Sequence, residues 1–229
     1  MSKTIVVVGF GPGISTGVAE KFGAEGFSVA LVARNEARLE AGVAALKAKG
    51  IASAAFPADA SDPASIRSAI AKARAALGPI TVIHWNAYGG GAGDLLAADP
   101  AEVRGVFDVA IVGLLAAVQE ALPDLKSTKE GAILVTNGAF GQTTPQMDEL
   151  ATNLKTMGVA LANAAKYKLV GLLAQQLKAD GVYIGEVMVA GIIKGTAWDT
   201  GSGAIEPSKV ANTFWELYQA RGENRAVVT

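Results

Sequence analysis

Glycines near the start of the chain are the first residues to point to a chemical role. Val8-Gly9-Phe10-Gly11-Pro12-Gly13-Ile14-Ser15-Thr16-Gly17 follows an apolar β-branched run and leads into a segment of helical periodicity. A glycine-rich turn between strand and helix lets backbone N–H groups approach a pyrophosphate, and the helix N-terminus favours the negative charge. Gly9, Gly11, Pro12, Gly13 and Ile14 are therefore candidate phosphate contacts; the alternative is an ordinary tight turn, which these flanks disfavour. An acid roughly 20 positions beyond such a turn would bind both ribose hydroxyls of NAD, whereas an arginine accommodates the extra phosphate of NADP. In Ala30-Leu31-Val32-Ala33-Arg34-Asn35 the acid is absent. A guanidinium grips phosphate bidentately, so Arg34 and Asn35 point to NADP(H) over NAD(H), against the plainer role of an arginine at the surface end of a strand. The ordinary pKa of a histidine suits proton transfer, but the place of His84 inside an apolar strand favours a satisfied core histidine.

Composition narrows the remaining chemistry. The chain has no cysteine and one histidine, so thiolate nucleophiles, disulfides and His- or Cys-based metal sites are not expected. Lys+Arg and Asp+Glu number 20 and 21, for a net charge of −1. That balance argues against nucleic acid and acidic membrane surfaces as partners. The apolar start Ile5-Val6-Val7-Val8 breaks at Gly9, too short for a signal peptide or a membrane span. A cytoplasmic protein without a membrane partner is the expectation.

Such residues need a frame to hold them. With 229 residues, 51% of them hydrophobic, the chain can bury a full core as a single domain over 1–229. Short β-branched runs alternate with longer segments of three-to-four periodicity, the pattern of βαβ units and a parallel sheet. Strands are predicted near 4–9, 28–33, 52–57, 80–84, 131–136, 182–189 and 225–228. Ile14/Val18/Phe22, Leu39/Val43/Leu46 and Ile66/Ile70/Leu77 each line one helical face, and two longer helices are predicted over 101–122 and 152–179. The fold class is α/β: a Rossmann-like, doubly wound parallel sheet of about seven strands with helices on both faces. Gly89-Gly90-Gly91-Ala92-Gly93 is predicted to be a mobile loop.

The spacing of Gly9 and Gly13, followed by Ile14, resembles the G-x-x-x-G-I-G turn of the short-chain dehydrogenase/reductase family, with Ser15 in place of the last glycine. The resemblance implies a slightly shifted helix and a Ser15 hydroxyl near phosphate. Asp59 in Ala58-Asp59-Ala60 matches the family's adenine-contacting aspartate, while Asp62 before Pro63 suits a helix cap. Thr81-Val82-Ile83-His84-Trp85-Asn86-Ala87-Tyr88 keeps only the Asn-Ala of the family's N-N-A-G, which places Asn86 and Ala87 beside the nicotinamide and leads Trp85 and Tyr88 to narrow the cleft. Val187 to Thr196 resembles the family's P-G segment, with Ala190 for proline; Gly191, Ile193 and Thr196 are the implied cofactor contacts. Only Ala197 to Glu206 remains for a lid before a helix at Pro207-Ser208-Lys209-Val210.

The same resemblance locates the family's catalytic Asn, Ser, Tyr and Lys. Ala110 stands for the asparagine in Phe107-Asp108-Val109-Ala110-Ile111-Val112-Gly113, and Gly138 for the serine in Val135-Thr136-Asn137-Gly138-Ala139-Phe140-Gly141. In Ala162-Asn163-Ala164-Ala165-Lys166 the lysine survives and the tyrosine is Ala162. Tyr167 follows Lys166 directly, and a one-residue step turns a helical side chain by about 100°, so it should face away. The extra length around Gln142 to Leu150 offers Thr143, Thr144 and Asp148 as substitutes, with Lys155 further on. Positioned proton transfer contributes about 10²–10⁴ in rate, or roughly 3–5 kcal/mol, and alanine and glycine supply none of it.

Three readings follow. The first is an NADP(H)-dependent oxidoreductase with a degenerate tetrad, acting on a small molecule. The second is a non-catalytic NADP(H)-binding sensor or partner subunit, in which Lys166 only holds the ribose. A cofactor-free lyase is less economical, because it has little reason to keep Gly9, Gly13 and Arg34 together. The resemblance also implies a homodimer or homotetramer packed through the two long helices, with the alanine-rich Val159 to Ala165 allowing close approach.

Overall fold

The protein is described by a computed structural model covering residues 3–229. Seven parallel strands form one sheet: β1 (Lys3–Val8), β2 (Phe27–Ala33), β3 (Ser53–Pro57), β4 (Ile80–Trp85), β5 (Ala132–Gly138), β6 (Tyr183–Val189) and β7 (Arg225–Val228). Their spatial order is β3-β2-β1-β4-β5-β6-β7. The chain winds outward from β1 to β3, then returns to the other side of β1 and winds the opposite way. This reversal opens a crevice beyond the carboxyl ends of β1 and β4, where ligands bind in doubly wound sheets. Register fixes its floor, with Val8 opposite both Val32 and Trp85.

Strands covered on both faces read as continuous apolar runs, which is why Ile5 to Val8 show no polar alternation. Val6, Val8, Ile83, Trp85, Ile133 and Val135 face one core cluster with α3 (Pro63–Leu77), α5 (Leu114–Ser127) and α7 (Met157–Leu177). Ile5, Val7, Leu31, Leu134 and Val187 face the other, with α1 (Ile14–Ala24), α2 (Glu36–Ala48) and α8 (Pro207–Ala220). Helix starts follow local chemistry: Asn35 caps α2 by accepting from Arg38 N, and Asp62 caps α3 by accepting from Ala64 N with Pro63 in the first turn.

Both long helices differ from expectation. The first runs from Pro100 to Ser127 as α4 (Pro100–Phe107), a π-helical turn over Asp108–Gly113, and α5. By length and composition this run could cross a membrane, but Leu114, Ala117, Ala121 and Leu125 lie fully buried in the core. Gly113 explains the close approach at the π turn, since a Cβ there would strike the carbonyl oxygen of Ala60. The second predicted helix, 152–179, is two: α6 (Pro145–Asn153) and α7, separated at Lys155, whose φ is +51°. Thr144 caps α6 at Met147 N and Pro145 opens it, so the extra segment around 142–150 is largely helical. In the glycine run 89–93, Ala92 and Gly93 are bonded to the start of α7, and Ala92 also to α4. Gly158 N donates to Ala92 O at 2.9 Å, Met157 N to Gly93 O at 3.4 Å, and Ala92 N to Glu102 Oε2 at 3.1 Å.

Candidate active site

The glycine turn lies at the switch point between β1 and β4. Gly9 N and Phe10 N both donate to Val32 O, at 2.9 and 3.0 Å, and Asn86 N donates to Val8 O at 2.9 Å. Gly9 has φ +83°, and a Cβ on it would lie 2.5 Å from Ala87 N, so only glycine lets the turn meet the end of β4. Gly13, at φ +92°, admits the Thr196 methyl, which lies 2.5 Å from its would-be Cβ. Phe10 is buried under the turn, its ring filling the space left by Gly42 on α2. Ile14 begins α1, and Pro12 lies in the turn between Gly11 and Gly13.

Ser15 departs from the expected phosphate contact. Its buried hydroxyl accepts from Gly11 N at 2.9 Å and donates to Gly11 O at 3.0 Å, closing the turn on itself. The Gly11 N–H is thereby occupied within the protein. Beside the turn, Arg34 is exposed at the end of β2, and Asn35 is committed to its cap. Arg38, not singled out from the sequence, extends its guanidinium over the turn, with Nη1 3.6 Å from the would-be Cβ of Gly11. Its signal in the sequence is a second arginine four residues beyond Arg34, within the first turns of α2. Asp59 accepts from Ser61 N at 2.9 Å and Ser61 Oγ at 2.7 Å, and these bonds, with the Arg34 charge, hold its carboxyl below the usual range. Ala60 lies next to it against the π turn.

At the end of β4, Ala87 is buried and Asn86 half-buried. Trp85 does not narrow the cleft. It is fully buried on the α3/α5 side of the sheet and its indole N–H has no partner among the described residues. The inward side of a strand end is fixed by register, and Trp85 follows Ile83 in contributing to that core cluster although the two alternate with His84. Tyr88 does stand at the mouth: half-exposed, it accepts a hydrogen bond from Trp198 Nε1 at 3.2 Å. The segment beyond β6 carries Gly191, buried Ile193 and Thr196, whose hydroxyl donates to Ile193 O at 2.8 Å. Asp199 gathers this lid by accepting from the N–H groups of Gly195, Gly201 and Gly203 at 2.9, 2.9 and 2.8 Å.

Lys166 lies on the buried face of α7 and donates from Nζ to Thr136 O at 3.0 Å. Burial pulls its pKa down to about 8, an effect that Glu186 partly opposes. His84 is fully buried, with Nε2 3.0 Å from the Thr136 hydroxyl and Nδ1 without a partner; burial depresses its pKa to about 3. It is a neutral core group, with no reach to the cleft. Tyr167 turns outward, its ring 3.8 Å from the Arg225 guanidinium.

The three positions matched to Asn, Tyr and Ser are repacked. Ala110 and Ala162 join Val106 in one small buried apolar cluster. A Cβ on Gly138 would lie 2.6 Å from Nδ2 of Asn163, so the asparagine side chain fills that space. Thr143, Thr144 and Asp148 are exposed along α6 and its approach, and the Thr144 hydroxyl is spent on the cap. No group of three metal-ligating side chains occurs among the described residues.

A doubly wound sheet with a glycine turn at its switch point defines a Rossmann-like α/β protein. The sequence pattern described as short chain dehydrogenase matches residues 3–199. The chain is 30% identical over 203 residues to 2-(S)-hydroxypropyl-CoM dehydrogenase 3 of Xanthobacter autotrophicus, covering 88% of this chain and 74% of that protein. With the 3-oxoacyl-(acyl-carrier-protein) reductase FabG of Staphylococcus aureus it shares 28% identity over 142 residues, which is 62% of this chain and 58% of the reductase. In structure it resembles L-sorbose reductase from Gluconobacter frateurii complexed with NADPH and L-sorbose, at a TM-score of 0.84 and 19% identity over 99% and 95% of the two chains. A metagenomic short-chain oxidoreductase in complex with NADP gives a TM-score of 0.80 at 24% identity, over 99% and 95%. The chain belongs to the short-chain dehydrogenase family of oxidoreductases.

Proposed function

We propose that this protein is an NADP(H)-dependent oxidoreductase of the short-chain type, acting on a small carbonyl or alcohol substrate without the family's tyrosine. The observation that carries this reading is the preserved cradle: Gly9 and Gly13 at positive φ, packed against Ala87 and Thr196 at contacts no side chain permits. NADPH supplies a hydride when bound. The N–H groups of Gly13 and Ile14 at the start of α1 would hold its pyrophosphate, with Gly9, Gly11 and Pro12 shaping the turn that lets it approach, since the Gly9, Phe10 and Gly11 N–H groups are bonded within the protein. Arg34 and Arg38 would hold the additional phosphate, Asp59 the adenine side, and Asn86, Ile193 and Thr196 the nicotinamide end. Lys166, with a pKa of about 8, is mainly an ammonium at neutral pH and can hold a ribose hydroxyl. NADP complexes among its structural neighbours support the cofactor class.

The second reading, a non-catalytic NADP(H)-binding sensor or partner subunit, is favoured by the Val106, Ala110 and Ala162 cluster, which leaves no proton donor at the matched positions. Under either reading the protein is proposed to be cytoplasmic and to form a homodimer or homotetramer, in keeping with half-exposed Leu161 and Leu172 on α7. Fluorescence titration of the purified protein with NADPH and NADH tests the shared premise. NADPH is expected to bind at least tenfold more tightly. Binding of neither would end the cofactor reading, and turnover of a carbonyl panel then separates enzyme from sensor.

A further inference from the structure

Asn163 has no role in any reading so far, yet its placement is specific. It is an asparagine on a helix face otherwise made of Ala162, Lys166, Val170 and Leu173, and only 5% of it is exposed. Leaving a carboxamide unpaired in such a place costs about 1–3 kcal/mol, so buried polar groups are normally bonded. Its main chain is bonded: Asn163 O accepts from Asn137 Nδ2 at 3.0 Å, and the same Nδ2 donates to buried Glu186 Oε1 at 2.6 Å. The side chain makes no hydrogen bond among the described residues, and neither of its amide atoms is among the fully enclosed unpaired polar atoms, so the carboxamide opens to solvent. Two glycines make room for it. A Cβ on Gly141 would lie 2.9 Å from Asn163 Cβ, and one on Gly138 would lie 2.6 Å from Nδ2.

We infer that the Asn163 carboxamide forms a substrate subsite, its Nδ2 donating a hydrogen bond to the carbonyl oxygen of an aldehyde or ketone from the space that Gly138 leaves open. This rests on the oxidoreductase reading above and on the resemblance that matches Gly138 to the family's catalytic serine. The geometry suits a donor that is preorganised. Asn137, braced by Glu186, fixes the helix at Asn163, and Asn137 Oδ1 in turn accepts from Gly138 N at 3.0 Å, so both walls of the subsite share one anchor. An amide N–H polarises an oxygen without transferring its proton. The subsite thus supplies orientation and charge stabilisation, leaving the proton to come from water.

Protein labelled with ¹⁵N-asparagine provides the test, because each side-chain NH₂ gives its own signal pair and the Asn163 pair is the one absent in Asn163→Asp and Asn163→Ala. NADP⁺ is added to saturation, followed by cyclohexanone as the probe. Cyclohexanone is expected to shift the Asn163 pair saturably, and Asn163→Ala is expected to bind it about five- to tenfold more weakly while its NADP⁺ affinity stays within twofold. If NADP⁺ binds but cyclohexanone leaves the Asn163 pair unmoved, or binds Asn163→Ala equally well, the subsite is overturned while the cofactor reading stands. If NADP⁺ itself fails to bind, both fall. The spectra of the unaltered protein decide the matter even if a variant folds poorly, since the pair can then be assigned from the other variant.

Discussion

Lys166 and His84 are the two buried bases of the site region, and both meet at Thr136, one through its carbonyl and one through its hydroxyl. Burial lowers both pKa values, so each costs stability where its unfolded counterpart is protonated. For His84, with a folded pKa of about 3, the native state refuses a proton that the unfolded chain takes up below about pH 6.5. Stability therefore falls as pH drops through that window, by about 2 kcal/mol at pH 5, and denaturant melts of the protein and of His84→Gln should diverge there. Lys166 keeps its proton at neutral pH against the desolvation penalty, which is relieved only as pH rises from about 8 towards the unfolded value. Lys166→Met is expected to raise the urea midpoint at pH 7, equivalent to about 1–3 kcal/mol, while weakening NADPH binding tenfold or more. A loss of both stability and binding would show that the Thr136 hydrogen bond outweighs the buried charge.

At the scale of elements, strands and their order of appearance were legible because β-branched runs between glycines have few other solutions; Arg225 to Val228 was placed to the residue. Helix continuity was not. The sequence from Thr152 to Leu177 keeps an unbroken apolar periodicity through Lys155, and nothing in a lysine announces a left-handed backbone. Asn163 was hidden for a related reason: the residues beside it in sequence are alanines, and the space it fills belongs to Gly138 and Gly141 at and just beyond the end of β5. Long-range complementarity of this kind has no local pattern. The break at Lys155 also receives the glycine loop, since a Cβ on Gly93 would collide with the Lys155 carbonyl oxygen. Gly93→Ala should therefore push the loop off α7 and cost about 1–3 kcal/mol, with faster amide exchange at Met157 and Gly158 as its local signature. Unchanged exchange at those amides would place the loop's anchorage elsewhere.

Across the whole molecule, a nucleotide bound at the switch point touches both halves of the sheet through β1, β2, β4 and the segment after β6, so its binding energy adds to global stability. At a concentration one hundred times its dissociation constant, NADPH is expected to contribute about 2.7 kcal/mol, or a rise in Tm of roughly 5–10 °C for a chain of this size. NADH at the same concentration should give a clearly smaller shift, and equal shifts would remove the case for Arg34 and Arg38 as phosphate ligands. The network behind the site reaches further still. Arg225 on β7 donates to buried Glu186 at 2.8 Å, and Glu186 holds Asn137, which holds both Gly138 and Asn163. During synthesis the ribosome releases Glu186 well before Arg225, so the nascent chain carries a carboxylate that must wait for its guanidinium. A chain stalled between the two would hold most of the sheet while the polar wall of the site still lacked the guanidinium that braces Glu186.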